Sequence, residues 1–507
     1  MIKLFGSGRP DHPMADAREA KRILDELPPQ DPYKALEELG HWHESLSLAE
    51  GFRPEQRIQL LLQIDAAAQG RVNKLTRDYL SPARLSRVQE NRLWTAAHGY
   101  WRQAGLAFAR SVDLFVQGAK GAEGTKSLLP QLLVRCLRAL AQQIKWMHLR
   151  HGPYDPAVWG VFNRVYGYAE ARNLAQARAA PQVGVQGDTT PQLEYLRGLM
   201  FSASSPEGLL PAEIELAEQV IAQFAPRFAL AGTSAAELPY WIDIGQPMSP
   251  LRAVRPPAPA AGLRCFGAGA ALGEVKALAD HIRATAAVPS SLNLAAGSDA
   301  DEVLEVLEHL AMYWSPQPPE RKHQRHNVKS QLHVANGLKG VIDTLEVSTS
   351  LGFDGGGVES WIVENVSAGG FGAIVTQVKG DWLRVGALVA MQPEGGNNWV
   401  VGLVRRVIKT ADRQARVGIQ TLSRAPAVSQ FAVSGARGAA GEQGVLLKGN
   451  DPVSAELQIA LRPGVFAPGQ NLEATRAGRQ HVYMPTGFGE RGEDYEIGRF
   501  RELVREA

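Results

Sequence analysis

Trp361-Ile362-Val363-Glu364-Asn365-Val366-Ser367-Ala368-Gly369-Gly370 is a β-branched and aromatic run that ends in a polar turn and two glycines. This is the signature of a strand entering a tight turn. The same texture continues downstream, where 383–390, 399–408 and 417–422 are short apolar runs. Glycine-rich breaks interrupt them, notably GFDGGG at 352–357 and PEGGNN at 393–398. Runs of this length between such breaks predict an antiparallel sheet or a small barrel. Further short strands are expected around 444–447, 455–461 and 480–484.

Glycine usage marks where this texture begins. Of the 51 glycines, 27 fall within residues 316–507, and glycine weakens helix interiors while suiting turns and bulges. The region before 316 carries helical periodicity instead. Leu133, Leu137, Leu140, Ile144 and Met147 recur at three- and four-residue spacing. A second stripe, Ile214, Ala217, Ile221 and Phe224, opens after Pro211 and closes at Pro226. A third, Val303, Val306, Leu307, Leu310 and Trp314, stops at Pro316, Pro318 and Pro319. Residues 245–262 are rich in proline and alanine and read as a linker or surface-hugging connection.

Bulk properties bound the function. The 507 residues suffice for about three domains at ~150 residues each. The charges nearly cancel, 54 Lys and Arg against 52 Asp and Glu, with 45% hydrophobic and 21% charged residues. That profile is an ordinary globular one and excludes disorder, collagen or coiled coil as a description of the whole chain. Two cysteines, Cys136 and Cys265, argue against a disulfide framework and a Cys-rich zinc module. Arg135, Arg138 and Lys145 interrupt the most apolar helical stretch, so no integral membrane segment is expected. The N-terminus has no apolar run long enough for a signal peptide, and the expected localisation is cytoplasmic.

Two short motifs carry the chemistry. Arg321 and Arg325 form Arg-x-x-x-Arg just ahead of the first strand, and Asn365, Ser367 and Gly370 form Asn-x-Ser-x-x-Gly after the strand Trp361–Glu364. The first motif alone says little, since it recurs at Arg18/Arg22 and Arg501/Arg505, where i,i+4 spacing on a helix accounts for it. The second occurs once, in a strand–turn context. Together they resemble the PilZ domain, a six-stranded barrel that binds the bacterial second messenger cyclic di-GMP. The resemblance covers residues 316–425, about a fifth of the chain, and includes 399–420 as the closing strands.

The resemblance implies that Arg321 and Arg325 clasp phosphate and guanine, that Asn365 and Ser367 read the second face of the ligand, and that Gly370 shapes the turn. The residue types suit the task. Arginine's planar fork serves phosphate or a guanine edge, and its face stacks on a purine. Asn365 offers a donor and an acceptor, Ser367 a short hydroxyl, and the glycines close approach. About forty residues separate the motifs, and GFDGGG marks an insertion in the first hairpin. Such a loop lengthens at small free-energy cost.

Other candidates are weaker. Gly267–Gly273 follows an apolar run but lacks surrounding βαβ units. Gly118–Ser127 lacks an adjacent Gly-Lys-Ser and reads as an interhelical loop. The pairs His41/His43, His148/His151 and His323/His326 have no accompanying carboxylate or cysteine set, so surface or packed histidines are expected and no metal. No catalytic arrangement can be assigned, and the chain is not expected to be an enzyme. Residues 71–150 hold 14 Lys and Arg against 4 Asp and Glu, a basic excess that is either complemented internally or presented to a partner.

The expected architecture is multidomain α+β, a large all-α N-terminal region followed by a C-terminal antiparallel β-barrel region. Its parts are a helical domain (1–244), a linker (245–262), a small helical subdomain (263–315), a PilZ-like barrel (316–425) and a β-rich extension (426–507). That extension completes the barrel, forms a second β unit or covers an edge. The resemblance implies a cyclic di-GMP receptor with no cofactor and no nucleic-acid partner. Its helical region transmits the signal to a protein partner in processes such as motility or biofilm formation. A structural adaptor with a degenerate barrel stays open as the alternative.

Overall fold

The computed structural model describes residues 10–81, 85–182, 187–255, 257–294, 298–317, 323–347, 358–411, 414–434, 441–448, 456–476 and 478–505. It divides into two compact units, Met1–Arg150 with Tyr154–Pro206 and Pro211–Pro319, and His151–Pro153 with Glu207–Leu210 and Glu320–Ala507.

The first unit begins with α1 (Ala17–Asp25), α2 (Pro32–Leu48), α3 (Pro54–Tyr79) and α4 (Arg87–Val116). It continues with α5 (Leu129–Leu149), α6 (Ala157–Ala171), α7 (Pro191–Ala203) and α8 (Pro211–Phe224). Local chemistry sets many of the starts. Asp16, Asp31 and Thr190 accept first-turn N–H bonds, and Ser86 with Gln89 forms a capping box on α4. Proline begins α2, α3, α7 and α8, where its missing N–H costs nothing. The expected stripe on α5 is buried throughout, as is that on α8.

Part of the basic excess of 71–150 is neutralised inside this unit. Arg135 on α5 donates to Asp65 on α3 at 2.5 Å, with both side chains buried, and Tyr100 donates to the same carboxylate at 3.0 Å. Lys145 lies 2.8 Å from Glu215. Burial by itself would raise the Glu218 carboxyl, but Lys145, Arg197 and Arg138 hold it down to about 2.

A small antiparallel sheet follows the helices, from β1 (Ala229–Ala231), β2 (Tyr240–Asp243), β3 (Leu251–Arg252) and β4 (Leu263–Gly267), in the order β1-β4-β2-β3. The region is thus helical with one sheet in addition. Within 245–262, Arg252 pairs with Tyr240 and lays its guanidinium 5.2 Å from that ring's centroid, and Pro250 immediately precedes this two-residue strand. β4 leads into α9 (Ala271–Thr285), but both its neighbours are antiparallel, so Gly267–Gly273 lies in no βαβ unit. α10 (Ala300–Trp314) buries the third expected stripe and ends the unit.

The second unit holds two closed six-stranded antiparallel barrels. β5 (His326–Asn336), β6 (Glu359–Ser367), β7 (Gly370–Val375), β8 (Leu388–Pro393), β9 (Val400–Ala411) and β10 (Gln414–Ser423) close in the order β10-β7-β6-β5-β8-β9. Leu332, Trp361, Ala373, Met391 and Val404 fill this interior. Between β5 and β6 lies α11 (Gly337–Val347), an element the sequence reading did not anticipate. Its residues account for part of the separation between the motifs; GFDGGG (352–357) lies outside the described residues.

Residues after 426 form a second barrel rather than completing the first. β11 (Ala427–Val433), β12 (Glu442–Leu447), β13 (Glu456–Leu461), β14 (Leu472–Arg476), β15 (Arg479–Arg491) and β16 (Glu496–Arg505) close in the order β11-β12-β13-β16-β15-β14. Arg501 and Arg505, read from sequence as helical neighbours, stand on strand β16 instead. A shared core joins the barrels, with Val341 and Leu345 of α11 packed among Leu388, Leu403, Val445 and Ile497.

Candidate functional site

The turn Ser367–Gly370 joins β6 to β7, and Ser367 Oγ donates to the Gly370 carbonyl at 3.4 Å. Gly370 has φ +157°, and a Cβ there would stand 1.9 Å from the Ile419 carbonyl oxygen on β10. Only glycine lets β7 come this close to β10 at the turn.

The lead-in to β5 comes to the same turn. His326 pairs in register with Val366, and Asn327 with Asn365. A Cβ built on Gly369 would lie 2.9 Å from His323 Cδ2, so the histidine ring rests against the turn. Arg325 stands between these two contacts and is exposed. Arg321 lies outside the described residues. The structure therefore brings Arg325, Asn365, Ser367 and Gly370 to one end of the first barrel. The histidines His323 and His326 are part of the lead-in. Among the described residues no group of three or more His, Cys, Asp or Glu is placed to hold a metal ion.

Two further residues reach the turn from the far end of β10. The Thr421 N–H donates to the Gly369 carbonyl at 3.0 Å, and the Arg424 guanidinium donates to the Ala368 carbonyl at 2.9 Å. They stand more than fifty residues downstream, and only barrel closure makes β10 the neighbour of β7. The linear sequence carries no local signal for that pairing. Two buried atoms nearby, Asn365 Oδ1 and Thr421 Oγ1, have no hydrogen-bond partner. Leaving a buried polar atom unpaired is costly; Thr421 shares the inward face of β10 with Val417 and Ile419, so of the two only Asn365 Oδ1 stands where a ligand on the outer wall recovers that cost.

A further cleft lies elsewhere, between the two barrels. It measures about 1120 Å³ and is lined by Glu346, Trp399, Gln430, Gln443 and Glu473, with Arg424 on its rim. Arg424 is thus common to the cleft and the turn.

Residues 18–235 match the family model of the cyclic-di-GMP receptor FimW, N-terminal domain. The match spans the helices from α1 to α8 and reaches β1, and it stops short of both barrels. No curated protein matches the chain. No helix among the described residues is long and apolar enough to cross a membrane.

Proposed function

We propose that this chain is a cyclic di-GMP receptor, a binding protein rather than an enzyme, whose site is the PilZ-like end of the first barrel. Arg321 and Arg325 clasp phosphate and guanine, Asn365 and Ser367 read the opposite face, and Gly370 sets the turn. The observation that carries the reading is the convergence of the lead-in that bears Arg325 with the Asn365–Gly370 turn. Arg325 lies between His323, which rests on Gly369, and His326, which pairs with Val366. A guanidinium held there can reach a doubly anionic ligand seated on the turn, where charge-assisted bonds are about twice as strong as neutral ones. The match of the helical region to a cyclic di-GMP receptor family is independent support, because it rests on residues outside the barrel.

The helical region carries the output to a protein partner. Segment 316–326 joins α10 to β5, and ligand contacts by its two arginines favour one arrangement of that connection. A ligand shifts such an equilibrium only by its differential affinity for the two arrangements. A thermal-shift comparison of cyclic di-GMP, cyclic di-AMP and GTP tests the receptor. Only cyclic di-GMP should raise the melting temperature, with stabilisation approaching about 2.7 kcal/mol at a hundredfold excess over Kd. Equal responses to all three, or none, would favour an adaptor with a degenerate barrel.

A further inference from the structure

A single cross-strand row runs over five strands of the first barrel. Asn327 pairs with Asn365, Asn365 with Gly372, Gly372 with Gly418, and Gly418 with Arg406. Phe371 and Ala373 flank Gly372 and belong to the barrel interior, as do Val417 and Ile419 around Gly418. Strand alternation therefore puts both glycines on the outer wall.

The two glycines differ in what covers them. A Cβ on Gly372 would lie 2.7 Å from Asn365 Nδ2 and 2.8 Å from Oδ1, so the carboxamide lies across that position. A Cβ on Gly418 would meet only Arg406 Cβ, at 3.4 Å. The wall over Gly418 is bare backbone inside a polar frame. In that frame Arg416 faces Glu364 at 3.6 Å, Gln420 accepts from Arg405 Nε at 2.7 Å, and Arg406 pairs with Glu207 at 2.6 Å. The fourth member, Asn365, has its buried Oδ1 without a partner.

We propose that Gly418 is the floor on which one guanine base of the ligand lies, edge-on to the Asn365 carboxamide; this deepens the cyclic di-GMP reading and rests on it. A ring flat on bare backbone gains dispersion contacts that a side chain would displace. Since the carboxamide already lies against the wall over Gly372, a ring on the adjacent position meets it in plane, as a hydrogen bond to an sp² oxygen prefers. An orphaned acceptor calls for donors. The Watson–Crick edge of guanine brings two, N1–H and the 2-amino group, whereas that of adenine brings one donor beside an acceptor. The floor and its carboxamide thus give the base a flat platform and an acceptor at its edge, a role the motif residues alone do not assign to any part of β10.

Calorimetric titration of the full chain with cyclic di-GMP tests this, comparing wild type, Gly418→Val, Gly418→Ala and Arg325→Ala, each with a thermal melt. Valine suits a strand position, and its Cβ would meet only Arg406 Cβ at van der Waals distance, so the fold should hold. Binding should weaken at least about 10-fold in Gly418→Val and by a smaller factor, at least about 3-fold, in Gly418→Ala. Wild-type affinity in folded Gly418→Val, with binding weakened in Arg325→Ala, would overturn the floor and leave the receptor standing. If Gly418→Val failed to fold, wild-type affinity in Gly418→Ala would overturn it equally. No binding by wild type would overturn both.

Discussion

Arg325 and Ser367 occupy the same end of the barrel but differ in what their removal should cost. Arg325 is exposed beside the turn, and a charge-assisted contact to phosphate or a guanine edge contributes about 1.5–3 kcal/mol. Arg325→Ala should therefore weaken cyclic di-GMP binding at least about 10-fold. Ser367 Oγ already donates to the Gly370 carbonyl, and a neutral hydrogen bond is worth only about 1 kcal/mol. Ser367→Ala should cost less than Arg325→Ala, and calorimetry finding the reverse order would contradict the assigned roles. Residues close in sequence on the β6–β7 turn, such as Asn365, Ser367 and Gly370, could be singled out from their own pattern. Thr421, Arg424 and Gly418 could not, because their nearness to that turn depends on which strands become neighbours when the barrel closes.

The elements follow the same division between local and distant causes. On α5 the apolar stripe is explicit in the spacing, and the burial of Leu133, Leu137, Leu140, Ile144 and Met147 follows from it. That Arg135 on the same helix would also be buried does not follow, since its partner Asp65 lies on α3. Burial raises the Asp65 carboxyl above its ordinary range while Arg135 opposes the rise. Removing one member strands the other in the core, so Arg135→Met should destabilise the helical unit by about 3–5 kcal/mol. Replacing both, as Asp65→Leu with Arg135→Met, should recover much of the loss. Thermal and urea melts of the single and double variants check this, and a single variant as stable as wild type would refute it. The sequence reading missed α11 because a helix inside a β-hairpin interrupts the strand texture with an apolar face of its own, Val341 and Leu345, that packs between the barrels. It likewise gave no sheet to 229–267, where strands of two to five residues are too short for periodicity to register.

For the molecule as a whole, composition separated a helical front from a strand-rich back, and the structure has that order. Glycine density signalled many turns but not how many closed sheets they serve. Two barrels, each with its own interior, emerge only from strand pairing. The molecule joins two independent parts, a helical region matching a cyclic di-GMP receptor family and a barrel in which the lead-in carrying Arg325 reaches the Asn365–Gly370 turn. That end of the barrel is the proposed seat of the dinucleotide. The most direct measurement is calorimetric titration of the purified full chain with cyclic di-GMP, which reports affinity and stoichiometry together. Binding should be saturable with a defined stoichiometry and should be weakened by Arg325→Ala. Absence of saturable heat up to about 1 mM ligand, or identical isotherms for wild type and Arg325→Ala, would contradict it.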